Sequence, residues 1–147
     1  MTEEAPSCIL LADRNHDVTE GVRGLLDSLF GTVVMVADGD SLLDAAARLV
    51  PDVAVVDLSL SHAGGLGWLQ ALKKRCPRLK VVVLSVYDEP NVRRATLDAG
   101  ADAFVLKHDI AADLPPAIDL VCGGGRMDPE PGRTSPVPSI EIKESER

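Results

Sequence analysis

Aromatic side chains are nearly absent from this sequence: one Trp, one Tyr and two Phe make up 3% of its 147 residues. Any core must therefore be assembled from Val, Leu, Ile and Ala. Cysteine is scarce as well. Cys8, Cys76 and Cys122 are widely spaced, odd in number and form no CxxC pair, which points to reduced thiols in a cytoplasmic protein and away from a disulfide framework. No apolar run approaches the roughly 20 residues that span a bilayer. The N-terminal MTEEAPS is acidic where a signal peptide would be basic. Basic charge is in deficit: 15 Lys and Arg against 23 Asp and Glu leave a formal charge of −8. A domain that binds nucleic acid directly would show a basic face; cationic partners and metal ions suit this balance better. The three histidines, His16, His62 and His108, have no metal-ligand spacing and read as surface or loop residues, with His62 the one near the reactive stretch described next.

What is present is a series of short apolar runs. With 46% hydrophobic residues the chain is long enough to bury the core of one domain. The central run is PDVAVVDLSL, Pro51 to Leu60, in which Val53 to Val56 end abruptly at Asp57. Four small or β-branched residues between a proline and a Ser/Gly-rich loop predict a buried parallel strand. Strands of the same kind are expected at residues 8–12, 32–37, 80–84 and 103–106. Between them apolar residues recur at helical spacing. Val18, Val22, Leu25, Leu26 and Leu29 mark a helix from Asp17 to Phe30, closed by Gly31 in the usual C-terminal manner. Leu42, Leu43, Ala46 and Leu49 mark a second up to Pro51, and Leu66, Leu69 and Leu72 a third. A fourth opens at Pro90, where a missing N–H costs little, and stops at Gly100. The fifth runs from Asp109 to Val121.

Five strands alternating with five helices predict an α/β fold with a parallel sheet covered on both faces. This is the flavodoxin-like, doubly wound form, with expected strand order 2-1-3-4-5. Residues 1–122 would form this unit. From Gly123 the sequence turns to Pro, Gly and mixed charge, and residues 123–147 are expected to be a flexible tail. A second reading has Ile140 and Ile142 dock as a short strand or peptide motif.

In a parallel sheet the strand ends at Asp13, Asp57, Ser85 and Lys107 all face one edge. Taken singly, Asp57 reads as a helix cap, Ser85 as a turn residue and Lys107 as a surface charge. Together, a carboxylate nucleophile, a hydroxyl and an ammonium suit phosphoryl transfer. The carboxylate attacks phosphorus and forms an acyl phosphate, while cation and hydroxyl hold the phosphoryl oxygens. Tyr87, two residues past Ser85, lines the loop.

The segments ILLAD, EGVRGLLD, PDVAVVDLSL, VVVLS and AGADAFVLK carry a resemblance covering residues 8 to about 122. In order and spacing they resemble the receiver domain of two-component response regulators, in the style of the LuxR/FixJ-type subfamily. The resemblance implies Asp57 as phospho-acceptor, Ser85 as switch hydroxyl, Lys107 as its partner lysine and Phe104 at the aromatic switch position. It also implies a Mg²⁺ site made by Asp13, Asp57 and the backbone carbonyl of Ser59. The donor would be a histidine kinase or phosphotransfer protein. The output would be an unknown protein bound through the fourth-helix, fifth-strand, fifth-helix surface, with neither nucleic acid nor membrane bound directly. Such a domain phosphorylates and dephosphorylates itself and turns over no external metabolite. Homodimer and monomer both remain open.

Two departures from the family pattern stand out. Arg14 follows Asp13 where a second acid is usual, which weakens the metal site. Its guanidinium either reaches solvent or pairs with Asp57 and partly stands in for the metal; Asp17 is a candidate substitute ligand. The alternative function is therefore a phosphate-independent pseudo-receiver, a binding module with a disabled metal site. Second, the sequence contains no DNA-binding output domain, and His108 replaces the small residue or proline often found after the lysine. A flavin- or nucleotide-binding enzyme ranks below both readings, because ADRNHD stands where a Gly-rich phosphate loop would follow the first strand.

Overall fold

The computed structural model describes residues 8–14, 16–60 and 65–123, the side chains of 16–19 excepted. In chain order the elements are β1 (Cys8–Ala12), α1 (His16–Leu29), β2 (Thr32–Val36), α2 (Gly39–Leu49), β3 (Val53–Asp57), α3 (Gly67–Arg75), β4 (Lys80–Ser85), α4 (Pro90–Asp98), β5 (Ala103–Leu106) and α5 (Ile110–Cys122), with 3₁₀ turns at Leu58–Leu60 and Lys107–Asp109. All strand pairings are parallel, as the alternation predicted, and the order is β2-β1-β3-β4-β5, as expected of the flavodoxin-like class.

The three central strands explain the apolar runs. Every residue of β3 is buried, as are Ile9 to Ala12 of β1 and Val81 to Ser85 of β4, because helices cover the sheet on both faces and no side of these strands meets water. On one face α1 packs with α5; on the other α2 packs with α3, and α4 lies against β5. The core is aliphatic, with Leu10, Leu26, Leu42, Leu69, Leu72, Leu84, Leu97, Leu114 and Ile118 fully buried. Phe104 is the single aromatic among its large buried side chains in the described residues.

Local signals account for most helix ends. Asp38 caps α2, its Oδ1 accepting from Ser41 N–H at 2.7 Å. That bond and its side-chain counterpart hold the Asp38 carboxyl below its ordinary pKa. Helix α3 has no side-chain cap but places Lys73, Lys74 and Arg75 in its last turn, where cations oppose the negative end of the helix dipole. Gly100 ends α4 at φ 123°, a conformation few other residues take.

Two expectations need correction. Gly31 follows α1 without the left-handed cap expected of it: among the described residues, positive φ is taken by Gly100 and by Val50, at 48°. At the end of α2 the left-handed position therefore falls to a β-branched residue, because Val50 N–H still reaches the Ala46 carbonyl (3.3 Å) before the chain turns into Pro51. The fifth helix begins at Ile110, Lys107–Asp109 forming a 3₁₀ turn instead. Pro115 and Pro116 lie inside α5. Each removes an intrahelical donor, yet the helix continues because Leu114, Ala117, Ile118 and Val121 bury one face against the sheet.

Cys8, Cys76 and Cys122 are free and half-buried. Burial, with the nearby Asp52 charge, raises the pKa of Cys8 and pushes that of Cys122 up to about 11. Both are inert thiols at neutral pH. No helix among the described residues is long and apolar enough to cross a membrane. The expectations for the tail, including Ile140 and Ile142, lie outside the described residues.

Candidate functional site

Parallel pairing brings the ends of β1, β3, β4 and β5 to one edge. Asp57 ends β3 opposite Leu84, and Ser85, one residue further along β4, lies opposite Leu106. Asp13 extends the β1–β2 pairing by one bond, its N–H donating to the Val36 carbonyl at 3.2 Å. Lys107 follows β5 directly. Asp13, Asp57 and Ser85 are 3%, 4% and 1% exposed, so three polar groups sit in a wall of aliphatic side chains. Buried polar groups of this kind must be paired.

Lys107 supplies the pairing. Its Nζ lies 2.6 Å from Asp57 Oδ1 and donates to Asp13 Oδ2 at 3.1 Å. Burial pulls the ammonium pKa down, but the hydrogen bonds to Asp57 and Asp13, with their charges, outweigh it and hold Lys107 above its ordinary value. The other Asp57 oxygen, Oδ2, accepts from Ser59 N–H at 3.1 Å and from the Ser59 hydroxyl. The 3₁₀ turn after β3 aims both donors back at the carboxylate. Two carboxylates share one ammonium, and one negative charge is left over.

The structure thus brings Asp13, Asp57, Ser59 and Lys107 into one network. Ser85 stands beside it and makes a different contact. Its Oγ accepts from Tyr87 N–H at 2.8 Å and donates to the Tyr87 carbonyl at 3.2 Å. Tyr87 lines the loop as expected, but its backbone is the partner of the Ser85 hydroxyl, a role that no residue-type pattern signals. The Tyr87 and Val86 side chains are exposed. Phe104 is buried, and the Arg93 guanidinium of α4 lies over its ring at 5.1 Å. The sequence reading missed Arg93 because the pair joins a helix to a strand and follows no local spacing.

Arg14 decides between the two alternatives left open. It is exposed and makes no ion pair with a described residue, so the pairing with Asp57 does not occur; Lys107 and Ser59 already occupy that carboxylate. His108 is exposed against Asp109 at 3.3 Å, a surface residue as expected. His62 and the side chains of His16 and Asp17 lie outside the described residues.

The donor set bears on a metal. Among the described residues no three His, Cys, Asp or Glu cluster to hold one. Asp13 and Asp57, held within hydrogen-bonding distance of a common nitrogen and short of one positive charge, do fit the one or two carboxylates with which Mg²⁺ is typically bound alongside water and phosphate oxygens.

Comparison with known proteins places the chain in a family. The family model described as the response regulator receiver domain matches residues 9–119. The chain is 33% identical over 129 residues to the nitrate/nitrite response regulator protein NarP of Escherichia coli, covering 86% of this chain and 60% of NarP. It is 34% identical over 116 residues to the response regulator protein VraR of Staphylococcus saprophyticus, covering 77% of this chain and 55% of VraR. The chain therefore spans little more than half the length of these relatives. Among solved structures, the non-phosphorylated receiver domain of the stress response regulator RcsB from Escherichia coli superposes with a TM-score of 0.74 at 26% identity, over 82% of this chain and 95% of that one. A LuxR-family two-component response regulator from Aurantimonas gives 0.74 at 25% identity, over 84% and 89%.

Proposed function

Since the chain belongs to the family of response regulator receiver domains, we propose that Asp57 is its phospho-acceptor and that residues 1–122 are the receiver unit. The observation that carries this reading is the Lys107 ammonium shared between Asp57 and Asp13. It orients a buried carboxylate and stands where charge gathers on an arriving phosphoryl group. One carboxylate oxygen attacks phosphorus. The new bond is Asp57 O–P, the bond broken is that between phosphorus and the donor, and the electron pair leaves on the donor group. With a histidine kinase or phosphotransfer protein as donor, that group is an imidazole. Lys107 stays bonded throughout and stabilises the extra charge.

Mg²⁺ held by Asp13 and Asp57, with the carbonyl of Ser59 as a further ligand, would neutralise phosphoryl oxygens in the same step. Among the described residues Asp13 and Asp57 are the two carboxylates, and the Arg14 cation next to Asp13 weakens the site.

The signal leaves through Ser85. Its hydroxyl bonds the Tyr87 backbone at rest, and an anion on Asp57 offers it a stronger acceptor. Exchange of partners frees the loop that carries Val86 and Tyr87. Phe104 on β5 and Arg93 on α4 couple that movement to the surface of α4, β5 and α5. The equilibrium is two-state and the phosphate biases it. The output is contact with another protein, and the reaction modifies the domain itself without consuming a metabolite. Three free cysteines and the lack of a spanning helix among the described residues support a place in the cytoplasm. The pseudo-receiver alternative draws no support, because Arg14 leaves the Asp57 network undisturbed.

Intact mass after incubation with acetyl phosphate and Mg²⁺ tests the reading. The expected result is a gain of one phosphoryl group, absent in Asp57→Asn. An equal gain in that variant would move the acceptor elsewhere, and no gain in either would overturn the function.

A further inference from the structure

Arg14 is the residue that the network does not use. It follows Asp13 at the end of β1 and is exposed, while its neighbour is 3% exposed and paired. Three of the four oxygens of Asp13 and Asp57 already have a donor: Lys107 on Asp57 Oδ1 and Asp13 Oδ2, Ser59 on Asp57 Oδ2. Arg14 is therefore an exposed cation one residue from the paired Asp13, with no carboxylate partner among the described residues. Where a second acid would adjoin Asp13 for a divalent metal, the chain carries a positive charge instead.

We propose that Arg14 binds the phosphoryl group as it arrives on Asp57 and makes phosphoryl transfer in this chain less dependent on Mg²⁺. The proposal rests on the reading of Asp57 as acceptor. A transferring phosphoryl group spreads charge over three equatorial oxygens, and stabilising that charge is most of what a protein does for the reaction. A guanidinium presents its donors as a planar fork that matches two such oxygens. It is always charged and needs no cage of carboxylates. At rest it has nothing to bind in the pocket, which accounts for its exposure. Once the phosphoryl group is present, the negative charge of the site grows and its oxygens offer Arg14 a forked acceptor. The same residue repels a metal ion approaching Asp13, so cation assistance from the protein comes at the expense of metal affinity.

Two measurements on the full chain separate these effects. Isothermal titration with Mg²⁺ alone, no phosphodonor present, should show Arg14→Asp binding the ion about tenfold or more tighter than the wild type, a carboxylate replacing a repelling charge. Phosphoryl uptake from acetyl phosphate, followed by intact mass with Mg²⁺ and with EDTA, supplies the second readout. In EDTA the wild type should react about tenfold or more faster than Arg14→Gln, the loss expected for one charge-assisted hydrogen bond. Arg14→Lys should fall between, and Arg14→Asp should react only with Mg²⁺. Equal rates for wild type and Arg14→Gln in EDTA, or an unchanged Mg²⁺ affinity in Arg14→Asp, would overturn the proposal. Uptake with Mg²⁺ but equal rates in EDTA would sink the role of Arg14 alone. No uptake by any variant under either condition would remove the Asp57 reading, and this proposal with it.

Discussion

Lys107 is the residue on which the site turns, because one ammonium neutralises parts of two buried carboxylates 44 positions apart. Its pairing has a consequence for stability. The folded state holds the ammonium pKa above its ordinary value, so folding favours the protonated form. The stabilisation is complete below the unfolded value, about 10.4, and is lost as pH rises through the folded one. Urea midpoints from pH 7 to 11.5 should fall faster above that point for the wild type than for Lys107→Arg, whose guanidinium does not titrate in this range. Parallel curves would show that the pair contributes nothing. Ser85 makes a second residue-scale prediction. Ser85→Ala should still take up phosphoryl, since Asp57 and Lys107 are intact. The Tyr87 amide, deprived of its acceptor, should exchange with solvent faster at rest and no longer respond to phosphorylation. Hydrogen exchange at Tyr87 measures this, and an unchanged amide would mean that the hydroxyl does not hold the loop.

Elements are positioned by burial more than by intrinsic preference. Helix α5 persists through Pro115 and Pro116, each about 3 kcal/mol unfavourable in a helix interior, because its other face carries Leu114, Ala117, Ile118 and Val121 into the core. Helix α2 ends on a left-handed valine for a related reason: Pro51 is buried and fixes where the chain must enter β3. A β-branched residue in that conformation is strained, and Val50 is 78% exposed, so its side chain contributes little in return. Val50→Gly should raise stability by about 0.5–1 kcal/mol, the relief of strain exceeding the entropy glycine loses on folding. A higher urea midpoint at unchanged slope is the check. A lower one would mean that the exposed valine packs more than its surface suggests.

Across the whole molecule, the sheet has polar ties at both edges. At the edge opposite the site, Asp102 Oδ2 accepts from Val81 N–H at 2.9 Å and from Lys73 Nζ at 3.0 Å, and Lys73 donates also to the Leu79 carbonyl at 2.9 Å. This joins α3 to the entries of β4 and β5. Gly100 belongs to the same arrangement, since a Cβ there would stand 3.2 Å from Lys73 Cγ. Asp102 is 8% exposed, and its removal leaves the Val81 amide without its acceptor and the Lys73 ammonium without its counter-charge, with the Leu79 carbonyl alone. Asp102→Ala should cost about 2–3 kcal/mol, read from the urea midpoint, while phosphoryl uptake at Asp57 stays as it was. A change in uptake would mean that the two edges are coupled through the strands.

Much of this protein was determined locally, and local features are legible in sequence. Apolar runs of four or five residues marked the strands, 3.6-residue spacing marked the helices, and their alternation implied the parallel sheet. The polar residue ending each run placed Asp13, Asp57, Ser85 and Lys107 on one edge, and family resemblance attached roles to them. Tertiary structure alone decided how those residues pair. The Lys107–Asp13 bond spans 94 positions and Lys73–Asp102 spans 29, and such contacts depend on strand order and helix packing, to which no local pattern is sensitive. The same limit applies to Arg93 over Phe104, to Ser85 turned toward Tyr87, and to Arg14. Its chemistry was plain in the sequence, but its exposure, with Lys107 and Ser59 on both oxygens of Asp57, was visible only in the fold.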